Sequence, residues 1–503
     1  MAITVTPTER RLRRWPTAID CSAVLALWLS TPCWSQTAGT LSEGAAGATG
    51  AGPAAATAAS PAVATGAGQP QTASFGVAVG VGETDNVTLV STNPQSQTIS
   101  TAEVDFGLAR VGPALDLDLA GDLSYLDYLQ HAYSGQFLGR FDGLAALLLW
   151  SDRLKWIVQD DFGQTPLDAF TPVTPNNLEN VNVLTTGPDL TLRLATDTFV
   201  RFGARYTLSD YETSPFDDYR LTGMAAIGQQ LSAGSSVSLN ADVQQVRFDN
   251  TVVNTDFDRQ RLYAGYDVEG ARTELALYAG VARVDEVEQV DQGEQWTSTP
   301  IAQLELTRKL SAMATVKLTA GRQYTDLADS FRDLRAGALG GIFVAPLAAI
   351  SPENYLSNYV SGSLTLQGVR TQVALTGRWE RDTYAQQDAL DDLSYGTVQL
   401  SAERRLSSTL TAQLSGSATT SRYLYEGFED RTYLIGGALI AHPAEHIEVK
   451  LRYAHNQGTG GFRYAEDVVF VTVAWRPLGA APAFGRPALP IGPASPFGPG
   501  FSQ

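Results

Sequence analysis

The sequence predicts an all-β fold, a transmembrane antiparallel up-and-down β-barrel of about 20 strands, within 18–20. Three observations carry that expectation. Segments of about ten residues alternate apolar and polar side chains over most of residues 73–476. Short turns rich in Gly, Pro, Asp and Ser alternate with longer acidic loops. An export-type N-terminus precedes a stretch without cysteine.

The N-terminus comes first. Arg10, Arg11, Arg13 and Arg14 form a positive region ahead of the apolar run from Cys21 to Leu29. Small residues at Cys33 and Ser35 mark a cleavage point, so residues 1–35 are expected to be a signal peptide. An uncleaved anchor is the alternative, and the run is short for a span. A twin-Arg signal and a lipoprotein signal fit less well, because barrels are exported unfolded and Thr31-Pro32 precedes Cys33. Both cysteines, Cys21 and Cys33, fall inside this segment. No disulfide or thiolate metal site is therefore expected in the exported chain.

Residues 36–72 are an Ala/Gly-rich linker with almost no charge and, beyond Leu41 and Val63, no large apolar residue, a composition that cannot bury enough surface to order itself. Residues 477–503 form a Pro/Gly-rich tail whose repeated prolines exclude helix and central strand. The intervening residues 73–476 are expected to be one barrel domain. The chain of 503 residues carries a net charge of −18, which argues against a nucleic-acid partner. Outside the N-terminus no run of eighteen apolar residues occurs, so helical spans are excluded. A barrel hides its hydrophobicity in alternation, and ordinary average hydropathy is what it shows.

Tight turns are expected at Val111-Gly112-Pro113, Ser151-Asp152, Thr196-Asp197, Ser232-Ala233-Gly234, Glu269-Gly270, Leu310-Ser311, Gly368-Val369, Ser407-Ser408 and Pro443-Ala444. Between them fall longer loops, at Asp160 to Asn180, Val284 to Gln295, Asp326 to Tyr355 and Gly427 to Asp430. Short turns on the periplasmic side and long loops outside are the barrel habit, and an even strand number puts both termini in the periplasm.

Alternation is clear in several strands. Val237, Leu239, Ala241 and Val243 oppose Ser238, Asn240, Asp242 and Gln244, and Thr371, Val373, Leu375 and Trp379 oppose Gln372, Thr376, Arg378 and Glu380. A charged second face is costly in a dry core and natural in a wet lumen. A soluble sandwich has similar strands one by one. Aromatics gather near strand ends, with Trp150 and Trp156 about one turn, Tyr206, Tyr211 and Tyr219 about one loop, and Tyr423, Tyr425 and Tyr433 about another. These suit headgroup-level girdles, although strand propensity alone also enriches aromatics. The last strand, Val469 to Trp475, ends on an aromatic of the kind that barrel assembly machinery reads, here followed by a tail.

Candidate chemistry is sparse. His131 lies three residues before Ser134 without a nearby carboxylate, and His442 and His446 flank a turn rather than lie on a helix. Acidic groups at Asp160-Asp161, Asp217-Asp218, Asp256 with Asp258, Asp285 to Glu288, and Asp388 with Asp391 and Asp392 lack calcium-loop spacing and read as loop solvation. No phosphate-binding, nucleotide-binding, zinc-spaced or nucleophile-elbow motif occurs. No catalytic, cofactor or metal residue is assigned, and no cofactor is expected.

Alternation places Lys155, Arg193, Arg201, Arg205, Lys317 and Arg378 on the lumen face together with Asp242, Glu274, Glu305 and Glu380. The longest loop, Asp326 to Tyr355, contains Phe331, Arg332 and Arg335 and then an apolar run that includes Ile342 and Phe343. A loop this apolar avoids water, either by folding inward as a plug or by meeting a partner or lipid.

The stretch from Gly80 to Val87, with its Asp85-Asn86 pair, resembles a family of proteobacterial outer-membrane β-barrels of porin type encoded with exopolysaccharide or exosortase systems. Gly203-Ala204-Arg205-Tyr206 leading to Asp210-Tyr211 is similar to its strand endings. The resemblance implies a part in surface polysaccharide production or export. The expected partners are outer-membrane lipid, the barrel assembly machinery and polysaccharide. The function expected is non-enzymatic transport or export of a polar solute, with exopolysaccharide as the implied case. The alternatives are a surface-acting barrel hydrolase and a soluble secreted adhesin or scaffold.

Overall fold

The computed structural model describes residues 72–150, 153–168, 171–286, 296–335, 352–384, 392–425 and 427–477. The segment expected to be a signal peptide, nearly all of the expected linker, the expected Ser151-Asp152 turn and nearly all of the Pro-rich tail lie outside these residues. Twenty strands run in order. They are β1 (Thr72–Thr84), β2 (Gln97–Arg110), β3 (Leu115–Tyr128), β4 (Gln136–Trp150) and β5 (Leu154–Thr165). Next come β6 (Glu179–Arg193), β7 (Thr198–Tyr211), β8 (Asp218–Ser232), β9 (Ser235–Phe248) and β10 (Phe257–Glu269). Then follow β11 (Thr273–Glu286), β12 (Trp296–Ser311), β13 (Ala314–Thr325), β14 (Tyr355–Gln367) and β15 (Thr371–Tyr384). The last are β16 (Leu393–Arg405), β17 (Leu410–Tyr423), β18 (Phe428–Ala444), β19 (Ile447–Gly460) and β20 (Tyr464–Trp475). Among the described residues one α-helix, α1 (Leu327–Arg335), lies between β13 and β14.

Each strand pairs antiparallel with its sequence neighbours, and β1 closes the sheet on β20 with Val77 opposite Trp475 and Thr84 opposite Val468. Closure removes both free edges, which would otherwise present unpaired backbone groups. Most of the described short connections stand where Gly, Pro, Asp and Ser predicted them, at one end of the barrel, but Leu310-Ser311 and Pro443-Ala444 end β12 and β18, and the turns fall at Ala312-Met313 and Glu445-His446. Register shifts in β4, β8, β12 and β18 fall beside four of these turns, at Leu148/Trp150, Gln230/Ser232, Lys309/Ser311 and Ala441/Ala444. An extra residue there bends the strand into its turn, as bulges do at barrel rims.

Two loop boundaries differ from expectation. The strand after Ser151-Asp152 continues to Thr165, so Asp160 and Asp161 are strand residues, and β18 already begins at Phe428. Both segments keep their cross-strand partners through polar residues, because inner-face positions accept them.

The faces are inverted relative to a soluble protein. On β9 the apolar Leu239 and Val243 are 51% and 54% exposed, while Asp242 and Gln244 between them are 4% and 1% exposed. The same inversion recurs on β1, where Val79 and Val81 face out, and on β20, where Val469, Val471 and Val473 do. A soluble adhesin would not surround itself with apolar side chains.

Candidate functional site: a helix docked on the inner wall

The segment after β13 turns inward because of its own sequence. Asp326 caps α1: its Oδ1 accepts the Asp329 amide at 3.1 Å and its carbonyl accepts the Ser330 amide at 2.9 Å. Asp at the cap and Asp329 in the first turn complement the helix dipole. Leu327, Ala328 and Phe331 fall on one face at helical spacing and bury against Val181 and Val183 of β6 and Tyr211 of β7, with Phe216 alongside. These wall residues alternate with outward ones on their strands, so α1 packs on the inner face.

The polar face of α1 is held by ion pairs. Arg220 of β8 donates from Nε to Asp218 at 2.7 Å and from Nη1 to Asp326 at 2.6 Å. Arg259 of β10 donates to Asp329 at 2.7 Å and to the Tyr324 carbonyl at 3.0 Å, and also bonds Gln244. Arg332 reaches β5, donating to Asp161 at 3.3 Å and to Gln159 at 3.2 Å. Ser330 bonds the Tyr355 hydroxyl at the start of β14. A helix that departs from β13 is thus tied to strands as far around the wall as β5.

Burial dominates the titration of the two helix carboxylates. It pushes Asp326 up to about 6 despite the Arg220 guanidinium, with Asp329 adding repulsion. Burial also acts against ionised Asp329, but Arg220, Arg259 and Arg332 together outweigh it and hold that carboxyl below its ordinary range.

The predicted lumen residues all fall on the inward-facing series of their strands, but they are not equivalent. Arg205 is buried and pairs with Asp189 at 2.7 Å. It also donates to the Ala204 and Pro188 carbonyls, at 2.9 and 3.1 Å. Pro188 has no amide to give β7, and the β6–β7 ladder skips Gly187 and Pro188. Arg205 therefore satisfies carbonyls that the proline leaves over. Asp242 is taken by Arg261 at 2.6 Å, and Glu305 accepts from Gln303 at 2.9 Å. Arg378 and Glu380 pair with each other at 2.6 Å, with Ser357 and Tyr395 also on Glu380. Arg201 stacks over Phe199 at 4.3 Å. Lys155, Arg193, Glu274 and Lys317 sit nearer the short-turn end and are half-buried or exposed. Of the loop residues, Phe331 and Arg332 are placed as above, Arg335 closes α1, and Ile342 and Phe343 lie outside the described residues.

Several residues of this site escaped the sequence reading. Asp161 and Asp218 looked like loop solvation but are inner-wall carboxylates on Arg332 and Arg220. Asp256 and Asp258 engage Arg247 at 3.8 and 2.6 Å, on the outward face and apart from this site. Arg220, Arg259 and Arg261 were readable only from the alternation of β8 and β10. The girdle reading needs two corrections. Tyr211 and Tyr423 point inward and are buried, Tyr211 against Phe216 and Tyr423 against Phe428. Tyr206 and Tyr219 do face out, with rings 6.4 Å apart, as do Trp150 and Trp156.

Among the described residues no group of three or more His, Asp or Glu stands placed to hold a metal ion. His455 does contact Asp467 at 2.9 Å, but on the outward face, beside the Tyr453 hydroxyl rather than a serine.

A closed sheet of twenty strands with a continuous apolar exterior and polar interior fits a bilayer spanned by strands. The protein is an outer-membrane β-barrel. The end with the short turns, where β1 begins and β20 ends, is periplasmic, and the long-loop end is extracellular. No family model and no curated protein matches the chain. Solved barrels resemble it in architecture. The FrpB iron transporter from Neisseria meningitidis (F3-3 variant) is 9% identical, over 80% of this chain and 81% of that chain, with a TM-score of 0.43. The copper transporter OprC is 10% identical, over 82% of each chain, with a TM-score of 0.40. OccK2 (OpdF) from Pseudomonas aeruginosa is 9% identical, over 81% of this chain and 98% of that chain, with a TM-score of 0.35.

Proposed function

We propose that this barrel is a non-enzymatic transport protein that passes a polar solute through its lumen, with α1 as an internal constriction. The observation that supports the reading is the burial of Arg220, Asp326, Arg259 and Asp329 as one network between wall and helix. A loop needs no such network to cover a barrel from outside, and burying four charges is costly unless they pair well. The arrangement leaves one element in the lumen, fastened to the wall by ion pairs and one apolar face.

The finer reading, export of a polysaccharide as the family resemblance implies, draws support from another sector. The inward series of β14, β16 and β17 contains Ser361, Ser363, Thr397, Gln399, Ser415 and Ser417, all half-buried. Hydroxyls and amides match sugar hydroxyls without imposing a charge.

Planar-bilayer conductance tests both readings. Transport through a constricted lumen predicts a small unit conductance that rises when α1 is released by Arg220→Met. An unchanged conductance in that variant refutes the constriction. Maltodextrins added to the released variant should reduce the current in proportion to concentration if the hydroxyl wall accepts sugar, and a current indifferent to them refutes the polysaccharide reading.

A further inference from the structure

We propose that the outward face at the extracellular ends of β13–β17 binds the phosphorylated headgroup of an outer-leaflet lipid. The register builds one lateral row there. Arg322 stands opposite Asn358, Asn358 opposite Arg381, Arg381 opposite Ser394, and Ser394 opposite Arg422. All five belong to the outward series of their strands, as the buried Gln323, Ser357, Glu380, Tyr395 and Tyr423 beside them show. Directly opposed side chains stand about 5 Å apart, so Arg381 and Arg422 flank the Ser394 position at a separation of about 10 Å.

The row is prepared for an anion. Arg322 is fixed, donating to Asn358 Oδ1 at 2.8 Å, to Thr299 Oγ1 at 3.2 Å and to the Pro300 carbonyl at 3.2 Å. Arg381 and Arg422 are exposed and have no ion pair among the described residues. Glu429, next in the row after Arg422, is occupied by Arg431 at 2.6 Å. Two guanidinium groups offer the forked donors that phosphate oxygens accept, while the Ser394 hydroxyl between them donates to the Glu380 carbonyl at 3.3 Å.

The occupant follows from the place. Just inside the row, on the same outward face, Val360 and Trp379 are 56% and 49% exposed. An arginine facing lipid costs about 2–4 kcal/mol at mid-bilayer and little at the interface, so three in one row fix it at headgroup height. Exposed Trp379 beneath Arg381 marks the same level. The corresponding outward positions on β1, β3, β7 and β20 carry Glu83, Asp127, Asp210 and Asp467, so phosphate is favoured in one sector and repelled in the other. The inference depends on membrane orientation and stands apart from the transport reading.

Native mass spectrometry of the detergent-solubilised barrel tests it, with bis-phosphorylated lipid A as probe and the same lipid stripped of both phosphates as comparison. The wild-type barrel should retain the phosphorylated lipid at least about tenfold better, the scale of losing charge-assisted bonds. Arg381→Gln with Arg422→Gln should abolish that preference, while Asp127→Asn with Asp210→Asn should leave it intact. Equal retention of the two lipids, or a preference that survives the arginine substitutions, overturns the proposal. Displacement of the lipid by millimolar inorganic phosphate overturns the lipid assignment. Each variant is first checked for heat-modifiable migration. If the double variant fails that check, Arg381→Gln against Arg381→Lys decides, because lysine keeps the charge and should retain part of the preference.

Discussion

The Arg220 guanidinium joins Asp218 on its own strand to Asp326 at the head of α1, at 2.7 and 2.6 Å, with all three side chains buried. It is the shortest ionic link between the wall and α1. Replacing Arg220 by Met strands two buried carboxylates, a loss that typically costs about 3–5 kcal/mol. The barrel ladders do not pass through α1, so the loss falls on helix docking. Arg220→Met should leave heat-modifiable migration intact and raise unit conductance; unfolding of the whole barrel would show that the network supports the wall instead.

Much of the wall was legible and much of this site was not, for one physical reason. Period-2 alternation in Val237 to Gln244 reports which face a residue takes, and turn residues report where a strand ends. Neither reports register. That Arg220 meets Asp326, 106 residues away, follows only once β8 and the β13–β14 connection share one interior. The row of Arg322, Arg381 and Arg422 is invisible in sequence for the same reason. Asp161 was misread because acidic pairs usually end strands, and here the inner face accepts one mid-strand. The helix was hidden by its brevity, since nine residues give little periodic signal beside the apolar run that follows.

Phe331 is the apolar counterpart of that network, buried with Leu327 and Ala328 against Val181, Val183 and Tyr211. Truncation of a buried Phe to Ala costs about 3–5 kcal/mol in a core, and a partly solvated lumen site falls at the lower end. Phe331→Ala should therefore loosen docking without releasing the ion pairs. Single-channel records should show frequent brief openings to the conductance of Arg220→Met, and a trace identical to wild type would deny the hydrophobic contact a part in closure.

The two helix carboxylates give docking opposite responses to pH. Asp326 has its carboxyl raised by burial to about 6, from an ordinary value of 3.8. Its contribution is thus full below about 4 and lost as pH rises through 6. Asp329 is lowered by its three arginines, so its contribution is present above about 4 and lost only in stronger acid. Lowering pH from 7.5 to 5 should tighten docking and reduce open time, and further acid should reverse the trend. Asp326→Asn should erase the first effect and keep the second, since Arg220 remains near Asp218 and Asp329. Open time that climbs steadily from pH 7.5 to 5 would contradict the assignment to Asp326.

Arg205 tests the wall itself. It pairs with Asp189 and satisfies the Ala204 and Pro188 carbonyls where proline interrupts the β6–β7 ladder. Arg205→Ala removes one buried ion pair and the donors to two carbonyls, a loss of about 3–5 kcal/mol, most of it from the broken ion pair. The variant should unfold at a lower temperature in the heat-modifiability assay while its α1 network, which does not include Arg205, stays in place. Replacing Pro188 by Val in the same background restores an amide to the ladder. If the proline is why Arg205 is needed, the double variant recovers part of the lost temperature. If it recovers none, the whole penalty belongs to Asp189, and Asp189→Asn should then rescue Arg205→Ala by itself.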